Sequence, residues 1–258
     1  MQATDITVRL SRRKILHGVD FVAEPGALTA IVGPNGSGKT TFLRALAGEV
    51  PHGGRVTLNG HDTAHLKPWQ VAALRGVLPQ FTPVAFPFTV IEIVRLGLTA
   101  GTAAEDDSLP VQALARVGLS GFANQFYSEL SGGEQQRVQL ARVLTQVWAP
   151  VEDGQPRWLL LDEPVSSLDI GHQLQVMELA RDYTRAGGGV IAVMHDLNLT
   201  AMFADHIVLF QSGRILASGS PAEVLTDETL STAYGCNLRV NTPPPGSIPF
   251  LLPQVATA

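Results

Sequence analysis

The sequence predicts an α/β fold whose core is a mixed, largely parallel sheet. The prediction rests on uninterrupted apolar runs at residues 28–32, 158–161 and 190–194, which suit strands that are buried on both faces. Each run is followed by glycine, acidic or histidine residues, and ligands of open parallel sheets bind at the carboxyl ends of the strands. A chain of 258 residues has room for one such domain and a subdomain.

The N-terminal region, to about Gly60, is predicted to form an antiparallel β part that pairs around the first apolar run. It includes the strand-like residues 55–59. The basic cluster of Arg12, Arg13 and Lys14 fits a solvated turn between two early strands.

A glycine-rich loop follows the run at residues 28–32 and precedes a helix-like segment that ends at Gly48. Strand, loop and helix in this order are the context of a phosphate loop, in which backbone N–H groups and the helix amino terminus bind phosphate. Lys39 is expected to reach the outer phosphates and the Thr40 hydroxyl to bind magnesium. The loop consists of Gly33, Pro34, Asn35, Gly36, Ser37, Gly38, Lys39 and Thr40.

A helical subdomain is predicted for residues 81–156, inserted into a core formed by residues 1–80 and 157–241. Residues 90–97 and 111–117 have apolar side chains at helical spacing, with a polar loop at residues 102–107 between them. Residues 81–88 contain three phenylalanines and two prolines, too apolar for a free loop and too broken for regular structure. They are interpreted as a docking surface, although a loop folded onto its own core is the alternative.

The motif Leu130, Ser131, Gly132, Gly133, Glu134 predicts a second anion-binding helix terminus. Ser131 and Glu134 have capping-box spacing, so Ser131 should cap a helix through Val138, Ala141 and Leu144. Two helix termini of one chain need not meet at one phosphate. We therefore expect this second terminus to serve a nucleotide bound by another copy of the chain.

Two adjacent acids end the strand at residues 158–161. Asp162 is expected to hold magnesium, directly or through water. Glu163 is the candidate that orients or deprotonates the water attacking the γ-phosphate, a role that phosphoryl transfer requires.

The region after His195 predicts a hairpin-like pair at residues 205–210 and 213–219, then a short helix near residues 221–225. The single domain is expected to span residues 1–241. Residues 242–258 form a proline-rich C-terminal tail, predicted to be extended along the domain or partly disordered.

Composition limits the function. The formal net charge is −5, which argues against nucleic acid as a partner because phosphate backbones bind clustered Lys and Arg. Neither a membrane-spanning apolar run nor a secretion signal is recognised, so a cytoplasmic location is expected. Cys236 is the single cysteine of the chain and gives no indication of a metal site.

The order of these motifs resembles that of nucleotide-binding subunits of ATP-binding-cassette transporters, from Ile6 to about Leu225. The resemblance implies a P-loop NTPase cassette that hydrolyses ATP with Mg²⁺ and works as a homodimer. It further implies that Gln80 senses magnesium and the γ-phosphate, that Asp169 lies in a loop acting across the dimer, and that His195 contacts the γ-phosphate. The implied nucleotide contacts also include Thr41, Ser131, Gly132, Gly133 and Glu134.

The chain departs from that family at the position where an aromatic residue usually stacks on adenine, which here is Leu10. No aromatic residue precedes Phe21. The base is expected to rest on Leu10, or on Arg12 or Arg13 through a planar cation contact.

Residues 87–97 and 222–226 resemble the branch of importers for iron–siderophores, cobalamin and haem. The extension at residues 146–157 and the segments at residues 164–169 and 246–253 are similar to those of haem-import ATP-binding subunits. The resemblance implies two copies of a membrane permease, an indirect periplasmic substrate-binding protein and a position at the cytoplasmic face of the inner membrane. Haem import is the first hypothesis and siderophore or cobalamin import the second.

Functions of other classes remain. A soluble cassette ATPase acting on ribosomes or DNA is disfavoured by the acidic charge and by the lack of a coiled-coil insertion. A regulator that binds ATP without hydrolysing it is disfavoured by Asp162, Glu163 and His195.

Overall fold

The computed structural model describes residues 1–81, 84, 86–100, 106–247 and 249–255. An antiparallel sheet and a mixed sheet are surrounded by helices, which confirms the predicted fold class. The longer strands are β1 (Gln2–Leu10), β2 (Arg13–Val22), β3 (Leu28–Val32), β4 (Gly53–Leu58), β6 (Arg75–Leu78), β9 (Trp158–Asp162), β10 (Gly189–Val193), β11 (His206–Gln211) and β12 (Arg214–Gly219), and the short ones are β5 (His61–Asp62), β7 (Val151–Glu152) and β8 (Gln155–Pro156). The α-helices are α1 (Lys39–Leu46), α2 (Pro68–Leu74), α3 (Val90–Ala100), α4 (Leu109–Arg116), α5 (Gly132–Gln146), α6 (Ile170–Arg185), α7 (Leu197–Phe203), α8 (Pro221–Val224) and α9 (Asp227–Tyr234).

The N-terminal sheet has the strand order β2-β1-β4-β5 and is antiparallel. Side chains along β1 point to the core or to solvent in turn. Ala3, Ile6 and Val8 are buried, whereas most of the residues beside them are exposed. The turn from β1 to β2 contains Ser11, with φ of 56°, and leads into Arg13. A turn between two early strands was predicted at this basic cluster. This sheet covers one side of α1.

The mixed sheet has the order β12-β11-β3-β10-β9-β6, and it is parallel except for the pair of β11 and β12. Every residue of β3, β9 and β10 is buried, as the unbroken apolar runs predicted. Val193 of β10 pairs with Ile31 on one side and with Asp162 on the other. The carboxyl ends of these strands therefore lie side by side.

Helices α3, α4 and α5 pack against one another beyond the sheet edge. Gly97 of α3 is the close-contact point, because a Cβ there would lie 2.2 Å from the backbone oxygen of Arg142 in α5.

The predicted division of the chain at residues 80, 157 and 241 stays a prediction. Residues 82, 83 and 85 of the predicted docking stretch, residues 101–105 of the polar loop, and residues 248 and 256–258 of the tail lie outside the described residues.

The extension after α5 forms a small hairpin of β7 and β8. Its turn residues, Asp153 and Gly154, have φ of 51° and 71°. Positive φ at both central residues is typical of the two-residue turn that fits the twist of a hairpin, and Asp-Gly is a favoured sequence for it. Asn59 ties the hairpin to the N-terminal sheet by donating to the backbone oxygen of Pro156 at 2.8 Å.

The C-terminal part contains the predicted hairpin of β11 and β12 and the predicted short helix, α8. Gln254 in the tail donates to the side chain of Asn198 at the start of α7, at 3.3 Å. Across the ranges given above, no helix is both long and apolar enough to span a membrane.

We expect Gly97→Ala to destabilise the protein by about 1–3 kcal/mol, because overpacking at the α3–α5 contact must push backbone apart. The same change at Gly171 of α6, where a Cβ meets its nearest atom at an ordinary 3.6 Å, serves as the control. There, alanine should leave stability unchanged or raise it by up to about 1 kcal/mol. Chemical denaturation of both variants measures the difference, and equal effects at the two glycines would contradict the tight contact.

Candidate functional site

The glycine loop lies between β3 and α1, as predicted. Gly33 has φ of 141°, and a Cβ on it would lie 2.2 Å from the backbone oxygen of Phe210 in β11. Only glycine fits this position. The ring of Phe210 packs on that of Phe42 in α1 with centroids 5.2 Å apart, so the loop is backed by the aromatic core.

A cavity of about 650 Å³ opens above the loop. Lys39 donates from Nζ to the backbone oxygens of Gly33 at 2.7 Å and Pro34 at 3.1 Å, which holds its ammonium against the loop. The hydroxyl of Ser37 is buried and has no hydrogen-bond partner among the described residues. The lining residues are Arg13, Lys14, Ile15, His17, Pro34, Asn35, Gly36, Ser37, Gly38, Lys39, Thr40, Thr41, Glu163, His195, Gln211, Ser212, Gly213 and Ala233.

Burial lowers the pKa of Lys39, and the nearby carboxylates of Glu163 and Asp162 oppose this shift. A partly desolvated cation beside a buried hydroxyl at the amino end of α1 favours an anionic ligand. The cavity therefore fits phosphate groups.

Thr40 and Asp162 meet at the other side of the loop, where the Thr40 hydroxyl donates to Oδ1 of Asp162 at 3.1 Å. The pKa of Asp162 is raised to about 6, mainly by burial and also by the negative charges of Glu163 and Glu49, while the hydrogen bond from Thr40 and the charge of Lys39 oppose the shift. Gln80 lines a cavity of about 350 Å³ together with Thr40 and Asp162. The structure thus brings the three predicted metal ligands together.

These oxygen donors fit a hard cation such as Mg²⁺, which prefers oxygen ligands and takes the rest of its shell from water and substrate phosphate. The buried carboxylate of Asp162 lacks a neutralising partner at ion-pair distance within the described part of the chain. No group of three or more His, Cys, Asp or Glu suited to a metal occurs there either. A cation at this position would be held by the Thr40 hydroxyl, the Asp162 carboxylate and the Gln80 amide, together with phosphate of the nucleotide.

Glu163 and His195 both line the cavity above the loop. Nε2 of His195 and Oε1 of Glu163 are 2.6 Å apart. Glu163 is 13% exposed and His195 is 42% exposed, so the carboxylate lies on the inner side. The backbone of Glu163 is left-handed, with φ of 53°, and its N–H donates to Val193 at 3.1 Å. The pairing of β9 with β10 therefore fixes the backbone of the predicted catalytic residue.

The second predicted anion site is the motif from Leu130 to Glu134, called the signature motif below. Ser131 caps α5 as predicted, since its hydroxyl accepts from the N–H of Glu134 while its own N–H donates to the Glu134 carboxylate at 2.8 Å. Asp169 caps α6 and accepts from the N–H and the ring of His172, at 3.0 and 2.8 Å. None of the residues Ser131, Gly132, Gly133, Glu134 and Asp169 lines the phosphate-loop cavity.

Of the three residues predicted to hold the base, Arg13 lines the cavity, whereas Leu10 and Arg12 do not. The part of the rim formed by Gln211, Ser212 and Gly213 was not predicted. Gly213 donates its N–H to the backbone oxygen of Ser37 at 2.8 Å, a contact between segments that sequence patterns do not connect.

A family profile described as "ABC transporter" matches residues 16–166. A protein of Jannaschia sp. (strain CCS1), named "Hemin import ATP-binding protein HmuV", is 66% identical over 98% of this chain and 93% of its own length. The protein of the same name from Rhizobium meliloti (strain 1021) is 62% identical over 100% of this chain and 99% of its own. This chain belongs to the ABC transporter family.

Solved structures agree with an ABC cassette. "Structure of ATP binding subunit of ABC transporter" superposes with a TM-score of 0.75 at 23% identity, over 92% of this chain and 93% of that one. "Structure of a bacterial Atm1-family ABC exporter with ATP bound" gives 0.75 at 27% identity, over 87% of this chain and 39% of that one. This ABC protein is an ATPase, and ATP is its nucleotide.

We expect the contribution of Asp162 to the stability of the metal-free protein to fall as pH rises from 4 to 7. The folded state holds a proton on Asp162 up to about pH 6, whereas the unfolded chain releases it near the ordinary value of 3.8. The stabilisation is therefore complete below the lower pKa and lost above the higher one. Asp162→Asn removes the charge, so with EDTA at pH 7.5 it should be more stable than the wild type, by up to about 3 kcal/mol.

Denaturation at several pH values measures this advantage, which should shrink towards pH 4. The exposed Asp107 supplies the control variant Asp107→Asn, for which no such pH-dependent gain is expected. A gain of Asp162→Asn that is the same at pH 4 and pH 7.5 would show that the effect does not come from its titration.

Proposed function

We propose that this chain is the ATP-hydrolysing subunit of a haem importer. The observation that carries the proposal is the identity of 66% and 62% with hemin import ATP-binding proteins over nearly the whole chain. A chain with this much in common with them is proposed to drive the same transport.

Hydrolysis is proposed to follow from the contacts of the larger cavity. Lys39, the N–H groups of the loop and Thr41 bind the phosphates, and Ser37 supplies a buried hydroxyl. Glu163 orients the attacking water and accepts its proton, while His195, at 2.6 Å from Glu163, positions that carboxylate and contacts the γ-phosphate. Gln80 senses the γ-phosphate from the adjoining cavity.

Mg²⁺ is proposed to be held by Thr40, Asp162 and Gln80. When bound, it would neutralise charge on the phosphate oxygens. Asp162 would then lose the proton that its burial retains, because a nearby cation favours the carboxylate form.

A homodimer is proposed because the signature motif and the phosphate loop of one chain do not meet. Two copies would enclose two nucleotides, each between the loop of one chain and Ser131, Gly132, Gly133 and Glu134 of the other. A Cβ on Gly132 would meet nothing within 4 Å, so the start of α5 is open to a ligand. Asp169 would act across the same interface. Loss of the γ-phosphate removes contacts that favour the closed dimer.

The base is proposed to stack on Arg13. Its planar guanidinium lines the cavity, and none of the ion pairs among the described residues involves it. An unpaired guanidinium offers a cation–π contact to a purine from any purine nucleotide.

A membrane permease, in two copies, is proposed to dock at the surface formed by Phe81, Phe86 and Phe126. These side chains are 78%, 70% and 46% exposed. Thr89, which follows the phenylalanine-rich segment, forms an isolated antiparallel β-bridge with Phe126. Exposed aromatic side chains in a cluster mark an interaction site. The chain would thereby lie at the cytoplasmic face of the inner membrane and act with a periplasmic substrate-binding protein that it does not touch.

Glu163→Gln should bind ATP with normal affinity yet hydrolyse it at least about a hundredfold more slowly, the loss typical of a missing general base. Phosphate release and equilibrium binding of labelled ATP measure the two properties. Glu178→Gln on the exposed face of α6 is the matched control and should turn over normally. Turnover near that of the wild type in Glu163→Gln would remove Glu163 from this role.

Ser131→Arg should prevent the ATP-driven dimer, because a long cation would fill the space of the partner's phosphates. Size-exclusion chromatography in the Glu163→Gln background shows whether the dimer forms. Ser220→Arg also breaks a capping box, at α8 and outside the proposed interface, and should leave the dimer intact. Dimers that form equally well in both variants would argue against shared sites.

The cargo is tested by deleting the gene and growing the strain on haem as the sole iron source. Growth should fail on haem and persist on ferric salts, and the wild-type gene, but not Glu163→Gln, should restore it. A defect confined to a ferric siderophore or to cobalamin would retain an importer and reject haem. Normal growth in all conditions would reject the import proposal.

A further inference from the structure

The first turn of the signature helix α5 touches the segment that carries Glu163 at two points. A Cβ on Gly133 would lie 3.0 Å from the backbone oxygen of Ser167 and 3.2 Å from the side chain of Leu168, so the two backbones are close there. Three residues further on, Gln136 donates from Nε2 to the backbone oxygen of Glu163 at 2.7 Å. A movement of this turn would therefore be passed to Glu163.

The backbone of Glu163 needs such support. A left-handed conformation is unfavourable for a residue with a side chain, and neighbouring contacts must hold it. The N–H is held by Val193, and the carbonyl oxygen accepts from Ser166 at 3.3 Å and 3.2 Å as well as from Gln136. Of the bonds to the carbonyl oxygen within the described residues, the bond from Gln136 is the shortest, and it comes from α5 and not from the segment that carries Glu163.

The oxygen atom of the Gln136 amide also indicates that this side chain supports Glu163. Its Oε1 is buried and accepts no hydrogen bond from the described residues. An unsatisfied buried acceptor destabilises a fold, and an apolar side chain of the same length would avoid it. The bond to Glu163 is the hydrogen bond that the amide makes within the described part of the chain.

We propose that Gln136 is a positioning residue that couples the start of α5 to the orientation of the Glu163 carboxylate. This inference rests on the proposed function, in which Ser131 faces the nucleotide of the partner chain while Glu163 acts on the nucleotide of its own chain. Gln136 then links the two sites of the dimer. A nucleotide that engages α5 of one chain sets the position of the glutamate that hydrolyses the other nucleotide.

The test replaces Gln136 with methionine in the full-length chain, which keeps side-chain length and removes the donor. We expect kcat to fall about tenfold or more with KM for ATP within about twofold, the pattern of an interaction used in the transition state and not in binding. The Hill coefficient for ATP should fall towards one, because the two sites would no longer communicate. ATP should also trap the dimer on size exclusion, as expected for Glu163→Gln.

Gln139→Met is the matched control on the same helix. Its amide is buried and donates to the hydroxyl of Tyr127 at 3.2 Å, away from Glu163. We expect kcat and the Hill coefficient of this variant to stay within about twofold of the wild type. A merely structural role for Gln136 would lower the melting temperature of both variants alike and leave the Hill coefficient unchanged.

The inference is overturned if Gln136→Met keeps the kcat and Hill coefficient of the wild type, or if Gln139→Met loses as much. Loss of ATP affinity in Gln136→Met would also reject it, because positioning of Glu163 acts after binding. Failure of the proposed function is a separate result, since there the wild-type chain itself would release no phosphate from ATP.

Discussion

The parallel pairing of β10 with β3 and β9 is the constraint on which the site depends. It places Val193 beside both Ile31 and Asp162, so the ends of these strands share one edge of the sheet. The phosphate loop, the acidic pair and His195 each follow one of these strands directly. A shift of one residue in either pairing would carry Glu163 away from His195 and from the loop, since neighbouring strand residues face opposite sides. Burial of all three strands makes such a shift costly.

The charges at this edge are arranged for a ligand more than for the fold. Lys39 and Asp162 are both desolvated. Burial lowers the pKa of Lys39 and raises the pKa of Asp162, so it favours the neutral form of each. Ser37 has a buried hydroxyl without a partner among the described residues. Nucleotide phosphate with a bound cation would satisfy all of these groups at once, which is why a region this polar can sit against the apolar core.

Sequence reasoning predicted those site residues that follow buried strands or cap helices. Asp162, Glu163 and His195 could be located because they come directly after apolar runs, and Lys39 because it follows the glycine loop after another such run. The contact of Gln136 with Glu163 could not, since it joins residues 27 positions apart through the packing of a helix on a loop. The left-handed backbone of Glu163 was equally hidden, because no local pattern requires it. For the base, the sequence left Leu10, Arg12 and Arg13 as alternatives, and of these Arg13 lines the cavity.

Gly33 meets the backbone of Phe210 so closely that the loop takes its shape from the core behind it. Phe210 lies in β11, and its ring is fully buried against Phe42. A genetic screen for loss of nucleotide binding should therefore recover changes in this aromatic core as well as in the cavity. Such alleles would combine a loss of core packing with a displacement of the loop, because the backbone that Gly33 meets is that of Phe210. Gly33 thus belongs both to the loop proposed to bind the nucleotide and to the packing that builds the domain.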